Sequence, residues 1–191
     1  MRFFRFWIFR YSRRTSIVKK IFLVFSCLFV LVKVSAARPT DDPCDLPKDL
    51  KATVEQKYPG TKVVSLSDLS EGDRKLFQKG HAGCPGLVNV DFYGDGKPTL
   101  ALALTSKGNT EPKTKLVIAH RAEDRWQATT LDKTDGPIPV VWSEAPGEYK
   151  DVYGRKRIIA ATPVIVFCGY SSWAVLYYWT DNKVSKIWVK D

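Results

Sequence analysis

The sequence predicts a single α+β domain in which two N-terminal helices pack on a curved, mainly antiparallel β-sheet. Two observations lead to this class. Before residue 80, two segments carry apolar residues at helical spacing between start and stop signals. After residue 86, short runs rich in Val, Ile, Leu, Trp and Tyr alternate with Gly, Asp, Asn and Pro, which is typical of successive antiparallel strands.

Each predicted helix has a recognisable beginning and end. The first follows Asp45 and ends at Pro59-Gly60, and the apolar residues on one of its faces are Leu50, Val54 and Tyr58. A short strand near residues 62–66 separates the helices. The second helix begins at Ser70, where the sequence favours a capping box, and it ends at Gly80.

Nine strands are predicted after the helices. They lie near residues 87–92, 99–105, 114–121, 125–131, 138–143, 156–161, 163–168, 173–179 and 184–189. Glu123-Asp124 and Asp181-Asn182-Lys183 are the clearest hairpin turns, because these residues accept the backbone conformations that tight turns need. Consecutive strands joined by such turns pair antiparallel, which gives the predicted sheet its main direction.

Residues 1–36 have the three parts of a secretory signal peptide. Basic residues without any acid precede the apolar run Ile21–Val32, and small residues follow as far as Ala36. The run is shorter than the ~20 residues that span a bilayer, which favours cleavage over an uncleaved anchor, the alternative. We therefore expect export to the periplasm or the cell exterior, a short polar leader at 37–43, a domain at 44–191, and no stable membrane span after cleavage.

The signal peptide accounts for the basic character of the chain. The whole sequence has 30 Lys and Arg against 20 Asp and Glu, and eight of the bases but none of the acids precede Ala37. The remainder therefore carries 22 bases against 20 acids, with both signs mixed along it. A nearly neutral domain lacks the basic surface that nucleic acids require, so the sequence argues against a nucleic-acid partner.

Three cysteines remain after the signal peptide, and their surroundings differ. Cys44 and Cys84 lie in segments marked by Pro, Gly and Asp, whereas Cys168 ends an apolar run. An oxidising compartment permits disulfides, and a free cysteine in an apolar strand usually behaves as a small buried hydrophobic residue. We therefore predict a Cys44–Cys84 disulfide and a buried, reduced Cys168.

Residues 88–104 contain an Asp-Phe-Tyr-Gly-Asp-Gly segment followed by alternating Leu and Ala. This stretch resembles the strand–loop–strand unit of FG-GAP and VCBS repeats, whose loop can bind calcium. The resemblance implies a calcium-stabilised module with Asp91 and Asp95 as ligands. The residues themselves favour a tight hairpin, in which Gly94 and Gly96 take conformations closed to other residues. We therefore expect no cofactor, and calcium bound to this loop is the alternative.

The sequence favours binding over catalysis. Nucleophile elbows, phosphate loops, zinc-protease motifs and Cys-x-x-Cys pairs are absent from it, and His81 and His120 stand apart. Three acids, Glu144, Glu148 and Asp151, share a segment with Pro and Gly, and two carboxylates can serve as acid and base on a glycan. A small carboxylate-dependent hydrolase of envelope glycans is therefore the alternative to a binding domain.

Aromatic residues crowd the last two predicted strands. Alternation places Trp173, Tyr177 and Trp179 on one face of the strand at 173–179. On the last strand, Trp188 has a lysine two residues away on each side. These rings either fill the core or form a binding surface. In the second interpretation an unidentified protein or glycan of the cell envelope is the partner, with Trp188 exposed and Ile187 turned inward.

Overall fold

The computed structural model describes residues 42–106, 112–170 and 172–190. These residues form eleven β-strands, two α-helices and one short 3-10 helix. The predicted signal peptide, 1–36, and most of the leader lie outside the described residues. Within the described part, no helix combines the length and the apolar character needed to cross a membrane.

The two helices begin and end close to the predicted positions. Helix α1 spans Lys48–Lys57 and helix α2 spans Glu71–Gly80. The predicted apolar face of α1 is buried: Leu50, Val54 and Tyr58. The predicted cap of α2 is present, because the Ser70 hydroxyl accepts a hydrogen bond from the backbone N–H of Asp73. A 3-10 helix at Leu66–Asp68 lies between the two.

The strands form two sheets and one separate hairpin. Their bounds are β1 Thr61–Val63, β2 Leu87–Val90, β3 Thr99–Ser106, β4 Lys113–Ala122, β5 Arg125–Asp135, β6 Val140–Glu144, β7 Gly147–Lys150, β8 Arg157–Ala160, β9 Val164–Gly169, β10 Trp173–Thr180 and β11 Lys183–Lys190. All pairings are antiparallel. In the first sheet, β1 and β2 share one edge of β3, and β4 and β5 follow on its other side. The second sheet has the order β11-β10-β9-β6, and β7 pairs with β8.

Both faces of the first sheet are covered. On one face, leucines of β3 pack with α1: Leu100, Leu102 and Leu104. The opposite face packs with the second sheet through the alternate residues of β3 and β4: Ala101, Ala103, Leu116 and Ile118. Because successive side chains of a strand point to opposite faces, a single apolar run supplies both cores.

The predicted α+β class is wrong, because the described residues are mostly β and form two sheets and a hairpin instead of one curved sheet. Helix α1 does cover a sheet face, but α2 contributes a single buried side chain, Phe77. Strand β9 shows the physical reason. All six of its residues are buried, so apolar side chains must cover both faces of the sheet to which β9 belongs. Packing of two sheets face to face provides this cover, which two short helices cannot.

Candidate functional site

The predicted disulfide is present and contacts Val64, the residue that follows β1. Cys44 and Cys84 are bonded with Cα atoms 5.0 Å apart. Their Sγ atoms lie 3.6 and 3.5 Å from the carbonyl oxygen of Val64, which are van der Waals contacts because a disulfide has no S–H to donate. Gly86 packs on the same backbone, since a Cβ there would lie 2.4 Å from the Val64 oxygen.

Cys168 is free and buried, as its apolar surroundings predict. Burial raises the pKa of its thiol to about 11. The thiolate is the reactive form of cysteine, so this side chain has the character of a core residue and not of a nucleophile.

A groove of about 360 Å³ lies beside the disulfide. Its walls come from residues 42–46, from α1 and from β1 with Ser65. The charged residues that line it have both signs: Asp42, Asp45, Lys51, Glu55 and Lys62. This mixture selects no class of charged ligand, and none of the residues predicted to bind a metal or a partner lines the groove.

The loop with the two predicted calcium ligands is a tight turn held by its own side chains. An oxygen of Asp91 accepts the N–H of Gly96 at 3.2 Å, and an oxygen of Asp95 accepts the N–H of Lys97 at 3.1 Å. Gly94 and Gly96 have φ of 70° and 74°, which is the left-handed region that favours glycine. Across the described ranges, no three His, Cys, Asp or Glu side chains gather as a metal site would require.

His120 contacts three side chains of the segment 93–99. Its Nδ1 lies 3.0 Å from the Thr99 hydroxyl and its Nε2 lies 3.3 Å from the Asp95 carboxylate. The ring of Tyr93 packs edge-on against His120, with centroids 4.6 Å apart, and also against Trp179, at 4.8 Å. Sequence reasoning missed this cluster because it depends on the register of β3 and β4, which places Thr99 opposite His120.

This cluster has the order carboxylate, imidazole, hydroxyl that nucleophilic enzymes use. The Thr99 side chain is fully buried, however, so its oxygen does not meet a substrate. Burial, with a smaller contribution from Asp95, raises the pKa of Tyr93, so that phenol stays neutral. The arrangement therefore fastens the 91–98 loop to β4.

The three acids of the hydrolase alternative have separate partners. Their contacts are Glu144 with the indole N–H of Trp142 at 2.8 Å, Glu148 with Arg157 at 3.1 Å, and Asp151 with the backbone N–H of Lys156 at 2.9 Å. The described contacts join none of these carboxylates to another. The contacts therefore single out no two of these acids as an acid–base pair.

The four predicted partner-binding aromatics differ in exposure. Tyr177 is 2% exposed, and its hydroxyl donates to Asp132 of β5 in the first sheet. Trp173 and Trp179 are half-buried. Trp188 is 46% exposed and lies edge-on to Trp173, with centroids 6.3 Å apart, while its neighbour in the chain, Ile187, is buried. Trp188 is therefore the most exposed member of this set.

The turn of the β7–β8 hairpin lies beside Trp188. The backbone N–H of Val152 donates to the Trp188 carbonyl at 2.8 Å. Val152 is 38% exposed and Tyr153 is 64% exposed, and the guanidinium of Arg155 lies 5.6 Å from the centre of the Tyr153 ring. We call the residues Val152, Tyr153, Arg155, Lys156 and Trp188 the tip surface. Sequence reasoning missed its hairpin half because the short, polar β7 has no clear strand pattern.

Comparison with known proteins does not assign this chain to a group, because no family model, curated protein or solved structure matches it. The fold and the side-chain geometry therefore carry the functional argument. Among the described features, the tip surface combines the largest exposed aromatic side chains with adjacent cations.

Proposed function

We propose that this chain is an exported protein that acts by binding a component of the cell envelope through its tip surface. The exposure of Trp188 carries this proposal. The ring of Trp188 stays 46% exposed, and the backbone hydrogen bond from Val152 to Trp188 brings the turn with exposed Val152 and Tyr153 next to its strand. Such areas are typical of interaction sites, and Trp and Tyr are enriched among the residues that dominate binding energy.

Export rests on the sequence of residues 1–36. Its basic start, apolar run and small-residue end have the composition of a secretory signal. The Cys44–Cys84 disulfide supports the same compartment, because disulfides persist in the periplasm and outside the cell but are rare in the cytosol.

Two features support binding over catalysis. The hydroxyl of the His120 cluster, on Thr99, is buried, and the acids near the hairpin each contact a different partner. The tip surface, by contrast, projects from a turn that is already fixed by hydrogen bonds, so a partner can bind it without much further ordering of the chain.

The proposal can be tested by capture from an envelope extract with the exported protein and its Trp188→Ala variant. We expect the variant to unfold within about 1 kcal/mol of wild type, as surface changes usually do, but to recover much less of the captured component. Leu76→Ala is the matched control, because Leu76 is 51% exposed on α2 and lies outside the tip surface. Equal recovery by the Trp188 variant and the control would refute the tip surface as the contact site.

A further inference from the structure

The shape of the tip surface limits what it can bind. Its hairpin half is a turn, held by hydrogen bonds from Asp151 N–H to the Lys156 carbonyl and from Gly154 N–H to the Asp151 carbonyl, each 2.9 Å. Side chains that project from a turn make a convex surface, whereas small molecules bind in concave sites that enclose them. The groove beside the disulfide is lined by other residues, in the segment 42–65. A broad or soft surface suits the tip better than a small ligand does.

The exposed side chains are of the kind that settle at a membrane–water boundary. Tyr and Trp concentrate there because each has an apolar ring and one polar group that stays hydrated. Tyr153 lies at the end of the turn and Trp188 lies on the neighbouring edge strand, with Val152 between them through its hydrogen bond to the Trp188 carbonyl. This hydrogen bond thus brings the turn that carries Val152 and Tyr153 next to the strand that carries Trp188.

The charges next to these rings are mainly positive. The hairpin segment 147–160 has four bases and two acids, and β11 has three lysines and no acid. Arg157 is offset by Glu148, and Lys186 is offset by Asp132. Two other bases contact neutral groups among the described residues. These contacts are Arg155 over the Tyr153 ring and Lys190 on the Tyr170 carbonyl oxygen.

We propose that the envelope component bound by the tip surface is an anionic phospholipid surface, an inference that rests on the proposed binding function. The aromatic rings and Val152 enter the headgroup region, where apolar burial holds them. The cations of the tip surface, Arg155 and Lys156, lie against lipid phosphates, which attract bases close to the membrane. Contact of both kinds at one convex site favours a lipid surface over a protein or a glycan.

The test uses exported protein and sedimentation with two kinds of vesicle, one of phosphatidylcholine alone and one of equal parts phosphatidylglycerol and phosphatidylcholine. We expect binding to the anionic vesicles that weakens as salt rises, because salt screens exposed charges. Tyr153→Ala combined with Trp188→Ala should lower the partition coefficient by about tenfold or more. Arg155→Gln combined with Lys156→Gln should remove most of the preference for the anionic vesicles.

The controls keep apolar area and charge matched. Leu76→Ala removes an exposed apolar side chain elsewhere, and Lys48→Gln with Lys51→Gln removes two exposed charges on α1. All variants share the same sequence before residue 42, so any contribution of that segment to binding is equal among them. Tyr153→Ala alone, at the most exposed ring of the surface, serves if the double aromatic variant unfolds.

Several results would overturn the proposal. Wild-type protein that binds both kinds of vesicle equally, or neither, excludes an anionic lipid surface as the partner. Equal losses in the tip variants and the controls exclude the tip as the site. If vesicle binding fails while Trp188→Ala still reduces capture from a delipidated envelope extract, the partner is a protein or glycan, so the lipid inference falls and the proposed binding function stands.

Discussion

The stability of the domain should depend on one hydroxyl group that joins its two sheets. The Tyr177 hydroxyl of β10 donates to Oδ2 of Asp132, which belongs to β5 in the other sheet. Lys186 of β11 donates to the same oxygen at 2.8 Å. Tyr177 is buried, so its hydroxyl has exchanged water for this carboxylate.

Two substitutions separate the contributions to this contact. Tyr177→Phe removes one hydrogen bond to a charged group and leaves Asp132 with Lys186, so the free energy of unfolding should fall by about 1.5–2 kcal/mol. Asp132→Ala should cost more, about 3 kcal/mol, because it also leaves a buried hydroxyl without a partner. The double variant should cost about 1–2 kcal/mol less than the sum of the two, since both single variants break the same bond.

The same contact predicts a dependence on pH. Burial raises the pKa of Asp132, but the hydrogen bonds from Lys186 and Tyr177 outweigh it, so the pKa is lowered overall. A lowered folded-state pKa means that the stabilisation is present above the unfolded value, about 4, and is lost as pH falls through the folded value. The difference in unfolding free energy between wild type and Tyr177→Phe should therefore shrink from pH 7 toward pH 2.

Urea unfolding at several pH values measures these quantities. Tyr178→Phe is the matched control, because Tyr178 is a buried neighbour on the opposite face and makes no hydroxyl hydrogen bond to the described residues. It should change stability by less than about 0.5 kcal/mol. The reasoning fails if Tyr177→Phe has an equally small effect, or if the two single changes are additive.

Three further predictions concern the disulfide and the core. Reduction of Cys44–Cys84, which are 40 residues apart, should lower the unfolding free energy by about 4 kcal/mol, and an unchanged urea midpoint in reductant would contradict this. Gly86→Ala should cost at least about 2 kcal/mol in the same assay because its Cβ would lie 2.4 Å from backbone, whereas a Cβ at Gly80, the control, meets nothing within 4 Å. Burial raises the pKa of Cys168 from 9.0 to about 11, so as pH rises the thiol ionises in the unfolded protein before it does in the folded protein. The free energy of unfolding should therefore fall between these two pH values, and Cys168→Ala should flatten that fall.

The local features of the fold could be predicted because nearby residues determine them. Glu123, Asp181 and Asn182 have φ of 54°, 49° and 57°, so both predicted hairpin turns adopt the left-handed conformations their composition favours. The disulfide followed from the contrast between turn-rich cysteines and a strand cysteine. The division into two sheets did not follow, because an apolar run such as β9 has the same pattern under helices as under another sheet.

The candidate site was only partly predictable for the same reason. Alternation placed Tyr177 and Trp173 on one face, but it could not show that the other sheet covers most of this face and buries Tyr177. The exposure of Trp188 could be predicted because lysines flank it on its own strand. Tyr153 was not, because its place beside Trp188 depends on a hydrogen bond between distant parts of the chain.

The disulfide has a consequence for how this protein withstands proteolysis. The bond closes residues 44–84 into a covalent ring that contains both helices and β1. One peptide-bond cleavage inside that ring releases no fragment, because the two new ends stay attached through sulfur. Helix α1 then remains tethered to the sheet that its apolar face covers. A nicked molecule outside the cytosol would run as one chain on a gel until a reductant separates its two pieces.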